Sequence, residues 1–164
     1  MRNKFITLVL GIALVAPGFA SDLGKEQRWR EQVADSIMDG EEVDVMVDGR
    51  GVFGIYTEAT NDYKKGMIVV HGNGIHPDWE QIVQPIRVAM TEYGWHTLSI
   101  QMPILRNGAE FEEYVLLYPE VPPRLKAAEQ FLKQKGADTL VIVAHSQGAT
   151  MSVSYTHLTL PTKA

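Results

Sequence analysis

The sequence predicts an α/β fold: an antiparallel hairpin at the edge of an open sheet, then parallel strands with helices on both faces. Three observations predict it. Strand-like and helix-like runs follow one another in the order β-β-β-α-β-α-β, and a further helix then begins, the alternation of a layered α/β sheet. The later strand runs, Met67–Val70 and Thr139–Ala144, are continuously apolar into their C-terminal ends, as strands are when helices cover both faces. The first two strand runs alternate instead, around Asp48-Gly49, a strong signal for a tight hairpin turn.

The elements follow in order. Arg2 and Lys4 precede an apolar run, Phe5–Val15, and Gly18 and Ala20 supply small residues at −3 and −1. Residues 1–20 are therefore expected to be a signal peptide cleaved after Ala20. That run is shorter than the roughly 20 residues of a bilayer span, so no membrane span is expected after cleavage. Trp29, Val33, Ile37 and Met38 fit a short amphipathic helix before Gly40. Val43, Val45 and Val47 alternate with Glu42, Asp44 and Met46, and Phe53, Ile55 and Thr57 share one face after the turn. This pair is expected to be an edge hairpin with one face wet.

Asn61–Lys65 is a polar turn before the strand Met67–Val70. Ile82, Ile86, Met90 and Tyr93 recur at helical spacing, stopped by Gly94. Trp95–Gln101 is the next strand, and residues 102–123, with four prolines, are expected to be a long irregular connection. Leu125, Ala128 and Leu132 mark a helix stopped by Gly136, and Thr139–Ala144 is the last strand before a helix start.

Of the 164 residues, 45% are hydrophobic and 21% charged, and the net charge is −5. The composition is that of one globular domain. The negative charge and the lack of a basic cluster argue against nucleic acid as a partner. There is no cysteine, so no disulfide stabilises the chain and the core must do so. With the leader this points to a periplasmic or secreted location.

Two stretches carry chemistry. Val141–Ala149 holds Ser146 in the pattern A-x-S-x-G directly after an apolar strand. Such a serine occupies a sharp strand-to-helix turn that projects its Oγ, and Ala144 and Gly148 are small because strand and helix backbones pass closely there. Met67–Gly74 ends in His71-Gly72-Asn73-Gly74, a loop whose backbone N–H groups can face a developing negative charge. Ser146 is the candidate nucleophile. Gln147 and Asn73 are the candidate oxyanion-hole donors through their backbone N–H groups.

From about Val52 to Met151 the chain resembles the α/β-hydrolase superfamily, and within it an exported proteobacterial family catalogued as a domain of unknown function. The resemblance rests on H-G-N-G-I-H-P-D-W at 71–79, G-W-H-T-L-S-I at 94–100 and A-H-S-Q-G-A at 144–149. It implies the first part of an α/β-hydrolase fold, with acyl transfer and usually ester hydrolysis, a small-molecule acyl substrate and no cofactor. The superfamily's triad runs Ser, then Asp or Glu, then His. Here no acidic residue follows Ser146, and the one later histidine is His157.

Val153–Thr162 matches what a common transposon-library sequencing adapter encodes in one frame, and Ser152 and Lys163 obey the flanking codon constraints. Residues 153–164 are therefore set aside as non-native, leaving a partial domain over 21–152 with an incomplete sheet. In the superfamily's sheet order the serine-bearing strand pairs on both sides, so its edge is expected to be bare here.

Other residues have ordinary readings beside functional ones. His71 fits a hydrogen-bonded tie of the oxyanion loop better than a catalytic base. His145 should point away from the nucleophile. His76 and Asp78 lack a third ligand at convincing spacing, so no metal is expected, and His76-Pro77-Asp78-Trp79 reads as a lock at a helix entrance. Glu110, Glu112 and Glu113 lie after a strand's C-terminal end, where α/β sheets place binding crevices, or else form a solvated acidic loop. The expected function is a fragment of an exported serine hydrolase, itself inactive. The alternative is a non-catalytic binding module of the cell envelope that keeps the hydrolase scaffold.

Overall fold

The Asp48-Gly49 dipeptide sets the first corner. Both residues take positive φ, 49° and 82°, the geometry that suits the twist of a two-residue hairpin, and they join β1 (Glu41–Val47) to β2 (Arg50–Thr57). The computed structural model describes residues 21–61 and 64–159, with side chains to 156. The expected signal peptide lies outside the described residues, as do residues 160–164.

Three further strands complete the sheet: β3 (Lys65–Val70), β4 (Trp95–Ile100) and β5 (Thr139–Ala144). The order is β1-β2-β4-β3-β5. β2 runs antiparallel to both β1 and β4, whereas β3 lies parallel to β4 and to β5. Among the described residues β5 pairs on one side alone, and Val141 and Val143 are half-buried.

Helices cover both faces. On one face, α3 (Val121–Gln134) sets Leu125, Ala128 and Leu132 against Tyr56, Ile68, Val70, Leu98 and Ile100, and α4 (Gln147–Thr159) adds Met151 and Tyr155. On the other, α2 (Val83–Ala89) places Val83 against Met67 and Val69, while α1 (Leu23–Ala34) places Val33 against Phe53 and Ile55. Burial of such side chains, at about 1.5–3 kcal/mol each, is the main stabilisation of a chain without disulfides.

Several boundaries differ from expectation, each for a physical reason. Helix α1 starts earlier and ends before Ile37. Asp22 caps it, its side chain accepting the Lys25 N–H at 2.9 Å, and Met38 is 93% exposed. Only β1 is a half-wet edge strand; β2 is internal, because β4 pairs with it and α1 covers its second face.

The helical stripe after the HPDW motif tightens into a 3₁₀ turn over Met90–Tyr93. Tyr93 is thereby left exposed, and Gly94 closes the turn in the left-handed region. Strand β4 ends at Ile100 rather than Gln101. The connection expected to be irregular contains a 3₁₀ helix, Phe111–Glu120, opened by a reciprocal Glu110–Glu113 capping box. Pro122 and Pro123 belong to the first turn of α3, where the missing N–H is harmless. Residues 153–159, set aside at the sequence level, continue α4, and the Tyr155 hydroxyl donates to Glu129 at 2.7 Å.

Candidate functional site

Ser146 lies between β5 and α4 with φ of 54°, an unusual conformation for a residue carrying a Cβ. Two neighbours force the turn to be tight. The His145 N–H donates to Val70 O at 3.0 Å, extending the β3–β5 ladder one residue, and helix α4 begins immediately afterwards. Its first turn passes against the end of β3. A Cβ on Gly148 would lie 2.4 Å from His71 O, so only glycine fits. The result is an exposed Ser146 on a strained corner, with buried Gln147 and Gly148 beneath it.

The loop after β3 meets this corner. A Cβ on Gly72 would lie 3.0 Å from Ser146 Cβ and 3.5 Å from the Gln147 nitrogen. The backbone of Gly72-Asn73 thus runs alongside the serine, and Gln147, first residue of α4, has an N–H with no intrahelical acceptor. The structure therefore brings Ser146, Gln147 and the loop bearing Asn73 together. Asn73 and Gly74 are exposed, and Gly74 turns the chain at φ 73°.

His71 holds the loop from below. Its Nε2 accepts the Met102 N–H at 2.9 Å and lies 3.1 Å from the Gln101 amide nitrogen. That leaves the proton on Nδ1, which donates to Gly72 O at 2.8 Å. Burial drives the imidazole pKa down to about 3, outweighing the hydrogen bond to Gly72. A neutral ring engaged with backbone at both nitrogens ties the loop in place. Trp29 of α1 lies edge-on to both His71 and His76, with ring centroids 6.5 and 6.0 Å away.

The HPDW turn locks the entrance to α2. His76 Nδ1 accepts the Asp78 N–H at 3.2 Å, and Trp79 meets the His76 ring edge-on at 5.3 Å. Asp78 Oδ1 accepts from Arg87 Nη2 at 2.5 Å, and Arg87 is buried and also donates to Thr57 and to Asp39 O. Burial lowers the His76 pKa. Among the described residues no group of three or more His, Cys, Asp or Glu is placed to hold a metal.

The acidic segment is less of a binding surface than its position allowed. Glu113 is occupied by Arg106, two bonds of 3.0 Å, and by the Glu110 N–H, while Tyr114 and Leu117 are buried. Tyr118 does approach the site: its hydroxyl accepts from the buried Gln147 side chain at 3.4 Å. Sequence reasoning missed this contact, and also Gln101 and Arg124, whose Nη1 donates to Gln101 O at 2.8 Å beneath His71. No local pattern marks such partners.

Two concavities lie near the site, and neither is lined by Ser146. A cleft of about 330 Å³ opens between α1 and the HPDW turn, lined by Gln32, Ser36, His76 and Trp79 among others. A small apolar groove of about 70 Å³ runs between α2 and β5 and ends at His145. Ser146 sits at an exposed edge of the sheet's C-terminal end, where ligands of open α/β sheets bind.

This architecture is that of α/β-hydrolases. Est1E from Butyrivibrio proteoclasticus superposes with a TM-score of 0.52 at 17% identity, over 73% of this chain and 46% of that one. A cold-adapted esterase from an Arctic intertidal metagenomic library gives 0.55 at 19% identity, over 70% and 53%. An alpha-beta serine hydrolase homologue from Coxiella burnetii gives 0.54 at 15% identity, over 75% and 60%. The chain thus spans about half the length of these structures. No curated protein sequence matches the chain. A family model described as a protein of unknown function, DUF3530, matches residues 23–116, which span α1, the hairpin, the loop after β3 and the HPDW turn, and the chain belongs to that family.

Proposed function

We propose that the protein is an exported serine hydrolase, periplasmic or secreted, that acts on carboxylic esters or similar small acyl substrates. The observation that carries this reading is the strained, exposed Ser146 at φ 54°, with a tight backbone approach at Gly72 and a glycine-only one at Gly148. Ser146 Oγ bonds to the acyl carbon, and the carbonyl oxygen becomes an anion facing the backbone N–H groups of Gln147 and Asn73. The leaving alcohol departs with a proton, and water then releases the acid. Each such N–H donor is worth roughly 3–4 kcal/mol in the transition state. Serine needs a base to lose its proton. In this reading the base is a histidine, oriented by a carboxylate, encoded downstream in the complete protein. Removing that histidine from the complete protein should cost on the order of 10⁶ in turnover.

A fluorophosphonate probe tests the assignment on the complete exported protein. Labelling should fall on Ser146 and vanish in Ser146→Ala. Equal labelling of both would sink it.

One observation favours a second reading, a binding module of the cell envelope. His71, the histidine of the site, is neutral, buried and committed to Gly72 and Met102, so the described residues supply no poised base. Reading the native gene past Met151 separates the two. An in-frame Asp and a late His support the enzyme; a replaced histidine supports the module.

A further inference from the structure

The residue expected to become the first of the processed chain is already seated on a carboxylate. Ser21 N–H donates to Glu120 Oε1 at 3.0 Å, and Ser21 Oγ donates to Glu120 Oε2 at 2.7 Å. The next residues are fixed to the same region. Asp22 N–H donates to Ile104 O at 2.7 Å, Lys25 Nζ to Leu105 O at 2.9 Å, and Glu26 takes two bonds from buried Arg124 at 2.8 and 3.1 Å. Arg124 also reaches Glu120 at 3.4 Å, and Arg50 lies 3.6 Å from Glu26. The first turn of α1 is thus held by polar contacts in series, beginning at Ser21.

We propose that the Ala20–Ser21 peptide bond is the processing site and that the α-ammonium freed there docks on Glu120, so that α1 is fully pinned only in the processed chain. The cleavage is a hydrolysis by an envelope leader-removing protease. Water adds across the amide, Ala20 leaves as the carboxylate of the leader, and the Ser21 nitrogen gains protons to become an ammonium. An internal amide offers Glu120 one neutral donor. The ammonium offers three donors and a positive charge, and charge-assisted bonds are about twice as strong as neutral ones.

Glu120 is 14% exposed, so solvent screens the pair weakly. Two effects oppose docking. A cation one residue before the α1 cap faces the unfavourable end of the helix dipole, and Arg124 is a second cation nearby. The carboxylates of Asp22, Glu26 and Glu120 match Lys25, Arg50 and Arg124 in number, and Glu120 is the carboxylate already in contact with the Ser21 nitrogen. The consequence reaches the serine. Glu120 lies two residues after Tyr118, the partner of Gln147, and α1 carries Trp29 against His71. Docking therefore braces the serine corner through Tyr118 and the loop after β3 through Trp29.

This inference rests on the export reading of residues 1–20 and is independent of the hydrolase reading. Failure of fluorophosphonate labelling leaves it untouched. The test uses the complete exported protein. N-terminal sequencing of protein recovered from the envelope should begin at Ser21. Matched proteins beginning at Ser21 and at Ala20 should differ in Tm by about 3 °C at pH 6.5, the Ser21 form being higher. Glu120→Gln should erase that difference. Acetylating the Ser21 amine should reproduce the loss without touching any side chain. A chain beginning elsewhere overturns the proposal. So do equal melting of the two forms, a difference that survives Glu120→Gln, and an acetylated protein as stable as the free amine.

Discussion

A single glycine decides how closely the serine corner can pack. At Gly148 any Cβ meets the His71 carbonyl, a rigid backbone atom, at 2.4 Å. Gly148→Ala should therefore cost about 2 kcal/mol or more and shift the helix start, measured by urea denaturation together with loss of probe labelling. Gly72→Ala meets the Ser146 Cβ at 3.0 Å, a smaller clash directly at the corner. It should lower the labelling rate of the complete protein more than its stability.

His71 makes a different prediction. Its folded pKa, about 3, lies below the ordinary value of 6.5 because burial disfavours the charge. The unfolded chain thus binds a proton that the folded chain refuses. The stability from this site is complete above pH 6.5 and is lost as pH falls from 6.5 toward 3, with a slope of at most about 1.4 kcal/mol per pH unit. Denaturation midpoints followed across that range should fall with acidification. The slope should shrink by one proton in His71→Gln, while His76, also shifted downward, keeps its part.

At the scale of elements, the loop lock and the surface ion pairs should behave oppositely. Arg87 is buried, and Asp78 is its carboxylate partner. Asp78→Ala leaves a guanidinium uncompensated in the interior and should cost about 3 kcal/mol or more in chemical denaturation. Arg106→Ala removes the exposed partner of Glu113, leaves the Glu113 bond to the Glu110 N–H in place, and should leave the midpoint nearly unchanged.

The same contrast explains what the sequence could show. Apolar periodicity located α3 and the strands β3 and β5 because most of their inward residues are apolar. It misplaced α1 because the buried residues of its first turn are Lys25 and Glu26, satisfied by Leu105 O and Arg124 from distant parts of the chain. The 3₁₀ helix at Phe111–Glu120 was hidden by Pro119 and by acidic residues that proved to be its cap.

For the molecule as a whole, the serine corner was legible because strand, small residues and helix start are contiguous in sequence. Sheet order was not, because β4 enters between strands that precede it, and neighbouring side chains there are dozens of residues apart. The exposed flank of β5 carries a prediction of its own. Val141-Ile142-Val143 presents an unpaired strand edge among the described residues, an invitation to pair with another copy. The isolated 164-residue chain should therefore show concentration-dependent light scattering. A monodisperse monomer with one cooperative melt would contradict this.

The place of β4 has a consequence for the order of assembly. Its two neighbours, β2 and β3, do not pair with each other; β4 joins one antiparallel and the other parallel. A nascent chain that has released only residues up to Gly94 holds a hairpin and a lone strand without a shared partner. The sheet can close only after Trp95–Ile100 arrives and threads between them. This step is long-range on both sides, and it is the natural candidate for the slow event of folding. The His71-Gly72-Asn73 loop after β3 and the serine after β5 are thus positioned by a strand that carries neither.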